Sequence, residues 1–236
     1  EILRCLVGSE MCIRDRMIMV IYALITIAIF GMWYYARYEG NFLPSPKKTF
    51  NPMMLVAIVI LVPGTQFAAN FIANLTGYIR PDWLQQYNEL FETSGITDTT
   101  FVTVLYSVIL APICEELIFR GVTMRCARKA LPFALANLMQ AALFGLFHLN
   151  WIQGIYAFAL GIVLGYVCER GGSIYYSMGL HLLFNLWGTL SGFFPDPGNS
   201  VVVFVIVIAV TIVSLAAGFV LFNKGRRKLP INSTGI

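Results

Sequence analysis

Residues 201–222 read VVVFVIVIAVTIVSLAAGFVLF, a run without a charge in which only Thr211 and Ser214 carry a side-chain hydrogen-bonding group. A helix of that length rises about 33 Å, enough to cross ~30 Å of hydrocarbon. The run lacks the apolar–polar alternation of a barrel strand. Lipid cannot satisfy an open backbone, so a helix is the structure left. Comparable blocks stand at 17–35, 53–79, 101–119, 131–149, 151–168 and 174–191. The chain is 58% hydrophobic and 12% charged, against about 45–50% and about 25% in soluble domains. These features predict an all-α, polytopic transmembrane bundle of about seven to eight membrane helices.

Between the blocks, the sequence sets the expected organisation. Pro63-Gly64 inside the second block predicts a kink. Residues 82–92 (DWLQQYNELFE) are amphipathic and too polar to span, which suits an interfacial segment. The first sixteen residues, EILRCLVGSEMCIRDR, are charged and aperiodic and resemble translated sequencing-adapter read-through. They are expected to be an artefactual leader before Met17 and are given no function. The expected divisions are that leader at 1–16, N-terminal helices with the interfacial segment at 17–100, a core at 101–191, and a last helix with a basic tail at 192–236.

The net charge of +4 is small and points to no nucleic-acid partner; the bilayer is the partner implied. The distribution of charge says more. Counting Arg120 with the connection after the third block, twelve of the thirteen Lys and Arg residues after Met17 fall on one side. Only Arg80 falls on the other, among acidic residues. The positive-inside rule then puts the N-terminus outside and the C-terminus in the cytoplasm of a multi-pass integral membrane protein. The tail from Lys224 to Lys228 is read as a topology signal. Cys114, Cys126 and Cys168 have no paired spacing, so neither a disulfide framework nor a CxxC site is indicated. The Asn74-Leu-Thr76 and Asn232-Ser-Thr234 acceptor patterns are read as chance. No internal repeat of the secondary-transporter kind is visible.

Ionisable residues inside membrane spans are costly, and function is their default reading. Here they are Glu115 and Glu116 near the end of the third block, followed by Arg120, then His148, then His181 with the amide Asn185 one turn on. The two histidines are the only ones in the chain. Glu116 and Arg120 are four apart and share a helix face, with the acid N-terminal. Glu115 is rotated by about 100° from Glu116, so one acid can be held while its neighbour works. Phe144 shares a face with His148 and can wall a site from water. A carboxylate suits a general base acting on water. A His and an Asn amide suit an oxyanion. Glu115, His148 and His181 would also serve as a zinc ligand set; the residues permit zinc without requiring it. No G-x-S-x-G and no H-E-x-x-H is present, so neither serine-hydrolase nor soluble-zincin chemistry is supported.

Taken together, Glu115-Glu116-Leu-Ile-Phe-Arg120, Phe144-Gly-Leu-Phe-His148 and His181-Leu-Leu-Phe-Asn185 resemble the three motifs of the CPBP family, the CAAX-protease and bacteriocin-processing intramembrane proteases. The resemblance covers residues 111–187 and implies a helical fold with a site opening toward the cytoplasmic leaflet. It implies Glu115 as the base that activates water, with His148, His181 and Asn185 in the site and Glu116 and Arg120 in support. The expected activity is an endopeptidase acting on membrane protein or peptide substrates in a bacterial plasma membrane. A glutamate mechanism with no required cofactor is favoured over zinc. The other readings weighed are a catalytically silent scaffold or immunity protein on the same fold, and a cation or proton transporter.

One expectation concerns depth. With the fourth helix starting at Leu131, His148 would stand about 15–20 Å from the other site residues. A late or tilted fourth helix would resolve this, and the fourth and fifth helices are expected not both to cross fully.

Overall fold

The computed structural model describes residues 2–37, 50–94, 100–191 and 200–226. Among the described residues the chain is helical throughout, without strands. The helices are α1 (Ile2–Arg37), α2 (Pro52–Ile79), α3 (Pro81–Ser94), α4 (Phe101–Ala127), α5 (Phe133–Phe147), α6 (Trp151–Gly171), α7 (Ile174–Ser191) and α8 (Val201–Arg226). Five of them, α1 over Met17–Ala36, α2, α4, α6 and α8, are long and apolar enough to cross a membrane. The protein is an integral membrane helical bundle. The seven expected blocks fall on α1, α2 and α4 to α8, and the amphipathic segment is α3. The basic connection at Lys47–Lys48 and the tail beyond Arg226 lie outside the described residues, as do Asp98, Asp196 and the Asn232 pattern.

Local chemistry explains where the helices begin. Asn51 caps α2, its side chain accepting from the Met53 N–H at 2.9 Å, with Pro52 at the first helical position. Pro is favoured there because that N–H would be unpaired anyway. Asn51 also donates through Nδ2 to the Gly225 carbonyl at 3.0 Å, and its N–H donates to Tyr176 Oη at 2.8 Å. One capping residue therefore ties α2 to α8 and α7. Thr100 caps α4 and Asn150 caps α6 in the same way.

Pro63-Gly64, where a kink is expected, lies inside α2, which runs on through it. Ser214 of α8 reaches this point: the Gly64 N–H donates to its hydroxyl at 3.0 Å, and the hydroxyl donates to the Ile60 carbonyl. A hydroxyl from a neighbouring helix thus serves the backbone beside the proline, as membrane helices require. Glycine allows the approach, since a Cβ on Gly64 would stand 2.8 Å from a Leu215 side-chain carbon.

The third expected block is corrected by the structure. It does not stop at Phe119 but continues to Ala127. Arg120, counted with the basic connection, is inside this helix and fully buried. The extension also resolves the depth problem. Glu115 lies about 18 Å along α4 from its C-terminal end, and His148 about 22 Å along α5 from Phe133. The depths match because α4 is longer than expected and α5 starts after Pro132. At fifteen residues, α5 is about 22 Å long and falls short of ~30 Å of hydrocarbon.

Candidate active site

Helix α4 is irregular where it matters. It opens into π-helical turns over Leu105–Leu110 and again over Leu117–Met124, with Ala111–Glu116 between them in α geometry. The first opening has a cause in the sequence. In the π register the Ala111 N–H reaches back to the Tyr106 carbonyl. The next donor would be Pro112, which has no N–H. The Ser107 carbonyl is therefore free, and Asn185 Nδ2 donates to it at 2.8 Å. The amide of the third motif is locked to the helix that carries the first. Such bulges recur at functional sites.

The second motif partner is locked as firmly. Glu116 and Arg120 are both fully buried. Arg120 Nη1 donates to Glu116 Oε1 at 2.8 Å, and the Nδ1 of His181 stands 3.0 Å from the same oxygen. An Nδ1–H donated to this carboxylate fixes the imidazole and turns Nε2 the other way. There Nε2 faces Glu115 Oε2 at 3.5 Å, longer than a direct hydrogen bond. Glu115 is the less enclosed acid, with 16% of its side chain exposed against none of Glu116. The two adjacent carboxylates thus take different positions, as the helical rotation required: Glu116 holds, and Glu115 has an open side. The contact between His181 and Glu116 was not anticipated.

Phe144 joins the remaining residues. Its ring meets His181 at 5.7 Å and His148 at 4.9 Å between centroids, both edge-on. It meets Phe119 of α4 at 5.2 Å, and the Arg120 guanidinium lies 4.5 Å from its centroid. His148 ends α5 with Nδ1 2.8 Å from the Phe144 carbonyl. An Nδ1–H donated there leaves Nε2 as the free nitrogen, and His148 joins the cluster by ring packing. The next residue, Leu149, is the one non-glycine with positive φ among the described residues, at 56°. A left-handed leucine costs on the order of 1–2 kcal/mol. Asn150 supports the turn by donating to the His148 carbonyl at 3.3 Å while capping α6.

Glu115, Glu116, Arg120, Phe144 and His181 accordingly meet in one cluster between α4, α5 and α7, with His148 packed on Phe144 at the end of α5 and Asn185 tied to Ser107 of α4. Zinc was weighed on Glu115, His148 and His181. Among the described residues no three His, Cys, Asp or Glu side chains are grouped to hold a metal ion.

Other polar residues belong to the same region and were not singled out. Gln140 of α5 is fully buried and donates through Nε2 to the Gly161 carbonyl at 2.9 Å and to Asn137 Oδ1 at 2.7 Å. Asn137 Nδ2 donates to the Ile162 carbonyl at 3.0 Å. Arg120 Nη2 also donates to the Gly161 carbonyl, at 3.3 Å. A Cβ on Gly161 would stand 3.1 Å from Ala141, and one on Gly165 would strike Asn137 and Gln140. The sequence carries the signal as Gly161-x-x-x-Gly165, the small-residue spacing that lets membrane helices approach closely. On the outer side, Trp83 of α3 stacks on Trp151 with centroids 5.2 Å apart, and Tyr87 hydrogen-bonds to Tyr156. The amphipathic helix therefore packs on the start of α6, beside the His148 turn.

Residues 97–187 match the family model described as type II CAAX prenyl endopeptidase Rce1-like. Over this segment the chain is similar to the CAAX-protease family. The match covers less than half of the chain and includes all three motifs, the whole of α4 to α6 and most of α7. It supports a CAAX-type intramembrane endopeptidase in general terms. No curated protein and no solved structure matches the chain.

Proposed function

We propose that the protein hydrolyses peptide bonds of membrane-associated proteins or peptides with water activated by Glu115. The observation that carries this reading is the division of labour between adjacent acids: Glu116 is neutralised by Arg120 and His181, while Glu115 is partly exposed and 3.5 Å from His181 Nε2. In the reaction, Glu115 takes a proton from water as its oxygen attacks the scissile carbonyl carbon. With both ring nitrogens protonated, His181 and His148 donate from Nε2–H, together with the second N–H of Asn185, to the oxyanion of the tetrahedral intermediate. The intermediate collapses with cleavage of the C–N bond, and the proton held by Glu115 passes to the departing amine. Buried donors set before the reaction are the effective form of this stabilisation. Phe144 and Phe119 limit water to the attacking molecule.

No metal is required in this reading. The chain lies in a bacterial plasma membrane, with its N-terminus outside and its C-terminus in the cytoplasm, as the basic connections favour. Its partners are the bilayer and a membrane protein or peptide substrate.

The test is cleavage of a fluorogenic membrane-peptide library by EDTA-treated protein in detergent, with wild type and Glu115→Gln side by side. The reading predicts cleavage by wild type, undiminished by chelation, and none by Glu115→Gln. Loss on chelation with rescue by zinc would transfer the water to a metal. Equal cleavage by both proteins would remove Glu115 from the chemistry. A folded wild type that binds such peptides without cutting them would fit the silent scaffold instead.

A further inference from the structure

The polar groups between α4, α5 and α6 form a connected line. Gln140 Nε2 donates to the Gly161 carbonyl at 2.9 Å, and Arg120 Nη2 donates to that same oxygen at 3.3 Å. Arg120 continues to Glu116, and Glu116 to His181. The line ends where His181 Nε2 faces Glu115. Gln140 and Arg120 reach one oxygen only because Gly161 has no side chain: a Cβ there would stand 3.1 Å from Ala141 and 3.2 Å from Phe144.

This line is not the cheapest way to hold three helices together. Gln140 Oε1, Arg120 Nε and Glu116 Oε2 are buried without a hydrogen-bond partner. An apolar contact would leave no such atoms, and a half-satisfied buried network is worse for stability than an apolar core. Rules of stability are broken chiefly where a site needs a particular geometry. Ser214 provides an internal contrast. Its hydroxyl also joins two helices, α8 and α2, and has both a donor and an acceptor there, while it makes no bond to any member of the line.

We propose that Gln140 is a positioning residue for the reaction: by fixing the Gly161 carbonyl it sets Arg120, and through Arg120 and Glu116 it sets the ring of His181 toward Glu115. This rests on the reading of Glu115 and His181 given above. Gln140 touches neither substrate nor water. It acts through the guanidinium, and its effect differs from that of a helix-packing residue of equal burial.

Three variants separate positioning from packing. Gln140→Met keeps the volume and removes the bond to Gly161. Gln140→Glu adds a carboxylate that competes with Glu116 for Arg120. Ser214→Ala removes an interhelical bond off the line, between α8 and α2. The expected result is a kcat lowered by about tenfold to a hundredfold in Gln140→Met, the scale of a small misplacement, with KM within about twofold. Gln140→Glu loses more, and Ser214→Ala stays within about threefold of wild type, although all three lose thermal stability in detergent. Comparable kcat losses in Gln140→Met and Ser214→Ala, or a Gln140→Met kcat within about threefold of wild type, would overturn the proposal.

A second readout needs no substrate. The chain has two histidines, so the ring nitrogens of ¹⁵N-histidine-labelled protein give an assignable NMR spectrum. Gln140→Met and Gln140→Glu should move the His181 signals and leave His148 in place, while Ser214→Ala moves neither. Unmoved His181 signals in both Gln140 variants would overturn the inference. With those signals moved but Glu115→Gln as active as wild type, the positioning line stands and the assignment of Glu115 fails.

Discussion

Helices α2 and α8 pack against each other as extensively as any pair in the molecule, yet by different means from α4 with α5, α6 and α7. The α2–α8 contact is one of shape. Gly64, Gly218 and Gly225 stand where a Cβ would come within 2.8, 2.6 and 2.6 Å of side chains on the facing helix. A single hydroxyl, that of Ser214, crosses between them in mid-helix. The α4–α7 region is instead joined by an ion pair, an imidazole and two amides, all buried. In lipid, hydrophobicity gives helices little reason to associate, so close packing or hydrogen bonding must supply it. The first region shows that packing suffices. The charges of the second are therefore not needed to hold helices together, and their retention at several kcal/mol of desolvation per ion points to chemistry.

Substitutions can break this contrast. The largest effect is expected for Glu116→Leu, which leaves the Arg120 guanidinium buried and uncompensated. Loss of one partner of such a pair costs about 3–5 kcal/mol, read as a collapse of the thermal unfolding temperature in detergent and loss of all cleavage. Next is Gly161→Val, which pushes α5 from α6. Overpacking costs about 1–3 kcal/mol, and here kcat of the remaining folded protein should fall by more than about tenfold, because the shared carbonyl moves. Gly218→Val overpacks against Leu61 and should cost a similar ~1–3 kcal/mol, with kcat of the folded fraction within about twofold of wild type. Equal catalytic losses in these two glycine variants would erase the distinction between the regions. Ser214→Ala should have the smallest effect, about 1 kcal/mol for an interhelical hydrogen bond, with no change in kcat.

The architecture was readable because long charge-free runs permit few structures in lipid, and the site because buried acids and histidines are rare there. Three features escaped the sequence. The third helix was ended at Phe119 because Arg120 and Arg125 read as a polar connection. Arg120 instead stays in the membrane because Glu116, one turn back, neutralises it. The π-turn before Pro112 was hidden because its partner, Asn185, is 78 positions from Ser107. Gln140 was passed over because a neutral amide in an apolar block carries no charge signal. Its role depends on Gly161, with which it is paired only by the fold.

The central claim is that two adjacent glutamates divide the work, Glu115 acting on water and Glu116 holding Arg120 and His181. It is tested by comparing Glu115→Gln and Glu116→Gln for thermal stability and for single-turnover cleavage of one membrane-peptide substrate. The account predicts that Glu115→Gln unfolds within a few degrees of wild type and cleaves nothing measurable, whereas Glu116→Gln unfolds at a far lower temperature. A stable and active Glu115→Gln, with Glu116→Gln stable and inactive, would reverse the assignment and contradict it.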